Sequence, residues 1–130
     1  MQAFIVDLPY RPGSLASVSE ALGERGINIS AAAGATSGEV GSLAFMAEDH
    51  AGARAVLEAR GWSYREVEVV VAAIEDRPGS LGATARRMAD AGVNLETVFV
   101  TGMRGDKVTF AFGVSDAAAA RAALGDAAVG

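Results

Sequence analysis

The chain has no cysteine, one histidine, one tryptophan and three prolines in 130 residues. The absence of cysteine excludes disulfides and thiolate metal sites, so packing and hydrogen bonds must hold the fold. With a single histidine, no Gly-x-Ser-x-Gly elbow and no Walker loop, few catalytic tools remain, and no catalytic residue is assigned. Ser14 and Ser80 have no evident base, and the acidic pairs Glu48/Asp49 and Glu66/Glu68 lack metal-ligand spacing. Neither a metal nor a cofactor is expected. Basic residues are scarce too: 11 Lys and Arg against 16 Asp and Glu give a formal charge of −5. That balance provides no footprint for a phosphate backbone, so no nucleic-acid partner is expected. No apolar run approaches the roughly 20 residues that span a bilayer. The start, Met1–Asp7, lacks a basic region and reaches Asp7 too early for a signal peptide. The expectation is a cytoplasmic protein without a membrane partner.

What the sequence does contain is itself, twice. Arg11-Pro12-Gly13-Ser14-Leu15 recurs as Arg77-Pro78-Gly79-Ser80-Leu81, an offset of 66, and at that offset Gly26-Ile27-Asn28-Ile29 becomes Gly92-Val93-Asn94-Leu95. Later, Ala53-Arg54-Ala55-Val56-Leu57 matches Ala120-Arg121-Ala122-Ala123-Leu124 at an offset of 67, which places one extra residue in the second hairpin. Two modules are therefore expected, residues 1–67 and 68–130. Each is small, and 28 of the residues are Ala, which contributes little burial, so pairing of modules or chains is expected to supplement each core.

Each copy reads alike. Phe4-Ile5-Val6 and Val69–Ile74 have strand length and composition, and Arg-Pro-Gly ends each run. Leu15, Val18 and Leu22, and in the second copy Leu81, Ala85 and Met88, follow helical spacing. Gly26 and Gly92 fall where a left-handed helix cap is wanted. A hairpin follows, then a helix after Asp49 or Asp116, both suitable N-caps. Trp62–Val67 makes a fourth strand in the first copy, whereas the second ends in Gly125–Gly130, a short or missing one. The order is β-α-β-β-α-β, so the fold class is α+β: two tandem ferredoxin-like modules, antiparallel sheets with helices on one face. Ser63–Glu75 has neither Pro nor Gly, and at about 3.3 Å per residue it is too long for one small sheet. A join between sheets, or a bend near Glu66–Glu68, is expected.

The strand–Arg-Pro-Gly-Ser-Leu–helix junction carries the chemistry. A helix start offers unpaired N–H groups and the positive dipole end, and glycine lets a carboxylate approach. Gly13, Ser14 and Leu15, or Gly79, Ser80 and Leu81, would present those donors. Asn28 and Asn94 open the neighbouring strand with amides that both donate and accept, and Asp76 could meet an ammonium. Pro-Gly ahead of a helix also serves as a plain turn, and Arg11 and Arg77 as surface ion-pair residues. His50 reads as a solvated helix start, and Trp62 and Tyr64 as packing residues.

Pro-Gly-Ser-Leu opening a helix, followed by Gly-Ile-Asn-Ile or Gly-Val-Asn-Leu 13 residues after the glycine, resembles the ACT domain family. The resemblance extends over nearly the whole chain, and most of all to small tandem-ACT proteins that carry no enzyme domain. It implies a non-catalytic regulatory protein that binds an amino-acid effector at the interface between modules. A homodimer is expected as well, because the incomplete second module leaves an edge to be paired and two-fold pairing is the commonest closed solution. A regulated enzyme is a further expected partner. The contacts the resemblance implies fall on Gly13, Ser14, Leu15 and Asn28, and on Gly79, Ser80, Leu81 and Asn94. Leu8 and Ile74 stand where serine-binding members are polar, so an apolar or aromatic amino acid is the expected ligand. Of the two loops, Asp76–Leu81 is favoured, because Tyr10 replaces Asp76 in the first. The competing reading is an interaction module that works through a sheet edge, left open by the missing fourth strand, without any small ligand.

Overall fold

Apolar residues alternate through Gln2–Pro9, the first strand, so that Phe4 and Val6 share one face. A computed structural model describes all residues, Met1–Gly130, and the chain divides into two units, Gln2–Glu66 and Val67–Gly130, with Met1 joining the second.

The first unit runs β1 (Gln2–Pro9), α1 (Ser14–Glu24), β2 (Ile29–Ser37), β3 (Val40–Ala47), α2 (His50–Arg60) and the opening residues of β4 (Tyr64–Glu75). β3 pairs antiparallel with β1 on one side and β2 on the other; Phe4 lies opposite Phe45 and Val6 opposite Leu43. The chain enters β4 beside β1, where Asp7 N–H donates to the Ser63 carbonyl at 2.9 Å. Phe4, Val6, Leu43 and Phe45 form the floor on which Val18, Ala21 and Leu22 of α1 and Ala53, Val56 and Leu57 of α2 pack. Both helices therefore cover the same face. Asp49 caps α2 by accepting from Gly52 N–H at 2.9 Å. α1 ends at Gly26 (φ +69), with Gly26 N–H bonded to Gly23 O and Ile27 N–H to Leu22 O, a left-handed cap that closes the last turn. Trp62 and Tyr64 pack partly buried against this core.

The second unit repeats the plan: the rest of β4, α3 (Ser80–Asp90), β5 (Leu95–Arg104), β6 (Lys107–Val114) and α4 (Ala117–Leu124), which passes into a 3-10 turn at Gly125–Ala127. β6 pairs antiparallel with β4 and β5, and Met88, Ala120 and Leu124 pack on Val70, Ala72, Ile74, Phe112 and Val114. The expected α+β architecture, βαββαβ twice, is what the chain adopts.

Two details differ from the sequence reading and one makes it specific. The extra residue expected in the second hairpin is there as a bulge: the register shifts between Val100 and Gly102, so Thr101 stands out of the β5–β6 ladder. Its hydroxyl bonds Thr109 Oγ1 at 2.8 Å and fixes the bulge. The edge thought open is occupied by the chain's own last residues. Val71 N–H donates to Gly130 O and Val129 N–H to Val71 O, both at 2.8 Å, and Ala128 bridges Ala72. Three small residues suffice because the strand needs only backbone groups. Finally, β4 is one unbroken strand, with no interruption at Glu66–Glu68.

The start of α2 is tied to β4 by an Arg54–Glu66 ion pair and a His50–Glu66 hydrogen bond. Glu66 Oε1 accepts from Arg54 Nη2 at 2.7 Å and lies 2.6 Å from His50 Nε2. The Arg54 hydrogen bond holds the Glu66 carboxyl below the ordinary glutamate value of 4.5; burial opposes this and the His50 hydrogen bond reinforces it. A carboxylate with a depressed folded-state pKa contributes stability above its unfolded value, and that stability is lost as pH falls through the folded value. The melting temperature should therefore decline as pH drops below 4.5, and less steeply in Glu66→Gln. Melting curves of both proteins across that range check this; identical acid slopes would refute it.

Candidate functional site

The two Arg-Pro-Gly-Ser-Leu loops have the same backbone. Gly13 and Gly79 both sit at the N-cap with φ +91, a conformation that would strain any β-branched residue. Ser14 N–H reaches back to Arg11 O at 3.4 Å and Ser80 N–H to Arg77 O at 3.3 Å. No side chain caps either helix, so the first-turn N–H groups of Leu15 and Ala16, and of Leu81 and Gly82, find no acceptor within the helix.

What surrounds the loops differs. A groove of about 840 Å³ lies against the first, walled by Leu8, Tyr10, Arg11, Ser14 and Leu15 and floored by residues of β2 and β3, among them Ala32, Gly34, Gly41 and Leu43. Leu15, expected in the core, is 56% exposed. It keeps the angular position of Val18 and Leu22, but lies one turn nearer the loop, over the groove. Strand register explains the hollow. On the helix-bearing face Gly34 lies opposite Leu43 and Leu8 opposite Gly41, so the floor is built largely of small side chains. At the matching positions of the second unit Val100 lies opposite Phe110 and Ile74 opposite Val108, and Val98 replaces Ala32. The groove thus accompanies the first loop, whereas sequence favoured the second.

The charges differ as well. Arg77 Nη1 pairs with Glu75 Oε2 at 2.8 Å. Pro9 stands at the position equivalent to Glu75, and Arg11 is exposed with no ion-pair partner. The Ser14 hydroxyl donates to Pro9 O at 2.6 Å and lies 3.2 Å from Arg11 O.

Of the residues singled out by sequence, Ser14 and Leu15 line the groove, and Gly13 holds the turn beside them. Asn28 does not reach it: its side-chain amide donates to Glu48 Oε1 at 3.0 Å, and its carbonyl accepts from Glu48 N–H. Asn94 likewise opens β5, its N–H donating to Ser115 Oγ at 3.0 Å. Asp76, Gly79 and Leu81 are exposed and Ser80 half-buried around the second loop, and the Ser80 carbonyl accepts from Thr84 Oγ1 at 2.8 Å.

Sequence reasoning missed one constellation. His50 is not simply solvated: its ring stacks on the buried Phe4 with centroids 4.2 Å apart, and its Nε2 meets Glu66. Alternating strand residues gave no sign that Phe4 would face a helix start. In the trio His50, Arg54 and Glu66 the carboxylate is engaged by both neighbours, and no three His, Cys, Asp or Glu side chains gather as metal ligands. No helix is long and apolar enough to cross a membrane.

Comparison with known proteins agrees with this fold. The family pattern described as the ACT domain matches residues 4–60. Among solved structures, a protein of Bacteroides thetaiotaomicron superposes with a TM-score of 0.77 at 21% identity, covering 95% of this chain and 85% of that one. The ligand-free regulatory subunit of aspartate kinase from Thermus thermophilus superposes with a TM-score of 0.69 at 22% identity, covering 97% and 90%. The corresponding subunit from Thermus flavus gives 0.70 at 21%, with the same coverage. At these identities the likeness is one of fold. A comparison with curated protein sequences finds no match.

Proposed function

We propose that the chain, whose residues 4–60 match the ACT domain pattern and whose second unit repeats the same order of elements, is a non-catalytic regulatory protein binding a small amino-acid effector in the groove of the first unit. The observation that carries this reading is the hollow itself. A core-facing stripe ends in Leu15 over a floor of Ala32, Gly34 and Gly41, beside a helix start whose Leu15 and Ala16 N–H groups are unpaired. The effector's carboxylate sits on the N–H groups at Leu15 and Ala16 with the Arg11 guanidinium alongside, and its apolar side chain lies among Leu8, Leu15 and Leu43. Gly13 supplies the close backbone approach. Asn28, Asp76, the Gly79–Leu81 loop and Asn94 stand outside this groove. A regulatory subunit that shares the fold over nearly both full lengths supports an enzyme as the regulated partner. The reading includes a homodimer and a cytoplasmic setting.

Titration with the proteinogenic amino acids, followed by backbone amide shifts, tests this. Apolar members should move the amides of Tyr10–Leu15 and Ala32–Thr36. No binding at millimolar concentration, or shifts confined to 76–81, would remove the reading.

One feature favours edge pairing as a second role. On the helix-bearing side of β5, which pairs only with β6, Leu95, Val98, Val100 and Met103 are all exposed. Such a row on an unprotected edge suits β-augmentation by another chain.

A further inference from the structure

We infer that β5 is the pairing edge of a symmetric dimer, in which β5 of a second copy of this chain runs antiparallel to it about a two-fold axis at Phe99. This holds whether or not the groove of the first unit binds an effector.

β5 lies at the end of its sheet and bonds only to β6. Its four large apolar residues, Leu95, Val98, Val100 and Met103, are 38%, 41%, 55% and 60% exposed. Strict alternation would not set them on one face, because Leu95 and Val98 are three apart, as are Val100 and Met103. Two bulges do it. The register skips Glu96 and Thr101, so all four share the side of Val114, Phe112, Phe110 and Val108, their partners on β6. Bulges ordinarily blunt an edge; these two gather its apolar side chains instead. β2, the edge strand of the first unit, has no such row: from Ser30 to Ser37 it holds only Ser, Ala, Gly and Thr.

The row is complementary to itself. With the two bulged residues left out, the ladder positions of β5 run Leu95, Thr97, Val98, Phe99, Val100, Gly102 and Met103. Turned end for end about Phe99, that order sets Val98 opposite Val100 of the copy and Leu95 opposite Met103 on the helix-bearing side. On the other side it sets Thr97 opposite Gly102. A shift by one position would put the apolar row against the wrong face. Charge agrees with this choice. The charged side chains of β5 are Glu96 and Arg104, one toward each end. Antiparallel pairing brings Glu96 beside Arg104 of the copy twice, whereas a parallel arrangement would align like charges.

The test is the mass of the intact chain across a concentration series, by sedimentation equilibrium. It should rise from one chain toward two. Val100→Glu puts a carboxylate on each side of the axis and should stay monomeric throughout that range. Its melting temperature should hold, since the position is more than half exposed. Adding Val98→Lys to Val100→Glu sets opposite charges across the axis and should restore the dimer. The chain has no cysteine, so the register can be trapped directly. Residues directly opposite lie about 4.5–5.5 Å apart between Cα atoms, within disulfide reach, and diagonal ones, roughly 7–8 Å apart, do not. An oxidised mixture of Val98→Cys and Val100→Cys chains should therefore yield the mixed disulfide, and neither alone a comparable amount. Should Val100→Glu fail to fold, that mixture decides. A mass of one chain at every concentration overturns the inference and leaves the row to a different protein. A dimer that Val100→Glu does not weaken, or an oxidised mixture without an excess of the mixed disulfide, overturns it as well, by placing the contact on another surface.

Discussion

Gly34→Val should leave the protein folded and take away its effector binding. Gly34 lies in β2 with an ordinary backbone conformation, and a Cβ added there would meet Ser42 O at 3.5 Å and Leu43 Cδ1 at 3.8 Å, normal contact distances. Valine suits a strand better than glycine, so thermal stability should hold or rise slightly. Its methyl groups, however, project over the floor of the groove. The second unit already carries valine at the matching position, Val100. Affinity for the effector should fall by about a hundredfold or more, roughly 3 kcal/mol. Titration beside a melting curve checks both halves. A well-folded Gly34→Val that binds as the parent does would move the site elsewhere.

Phe4→Ala should have the largest effect on folding. Phe4 is fully buried in the first unit's core, and its ring lies 5.2 Å from that of Phe45, 4.2 Å from His50 and 5.8 Å from Tyr64 between centroids. Removing a buried phenyl group costs about 3–5 kcal/mol through lost transfer energy and the cavity left behind. Whole domains are stable by only about 5–15 kcal/mol, so this one change should shift the urea midpoint far down. It should also free His50, whose ring then loses the surface it stacks on. A loss below about 1 kcal/mol would mean that Phe4 does not occupy the centre of this core.

The fold was legible because its signals are local. The Arg-Pro-Gly-Ser-Leu recurrence fixes where each strand yields to a helix, Asp49 and Asp116 mark the next helix starts, and Gly26 and Gly92 the helix ends. Even the extra residue was countable, although sequence could not tell a longer turn from the bulge at Thr101. The groove was less legible. Its loop announces itself twice with equal strength, and a charged residue, Asp76, drew attention to the copy without the hollow. What separates the copies is side-chain volume summed across strands, Ala32 and Gly34 from β2 with Gly41 from β3, and that sum exists only once the register is known. The same holds for Leu15. Its helical spacing marked it for the core, and only the missing floor beneath it turned it into a wall.

β4 has a consequence for modularity. The division between the units falls inside β4 rather than in a loop, and within the second unit the Met1 carbonyl accepts from Val69 N–H at 2.8 Å. A piece ending at residue 67 would stop in mid-strand, and a piece beginning there would lack the backbone partner that Met1 provides. Duplicated genes usually yield parts that can be shuffled at a linker. This pair has no linker to cut, so recombination or engineered module exchange would have to transplant Tyr64–Glu75 with one side and rebuild the ladder on the other.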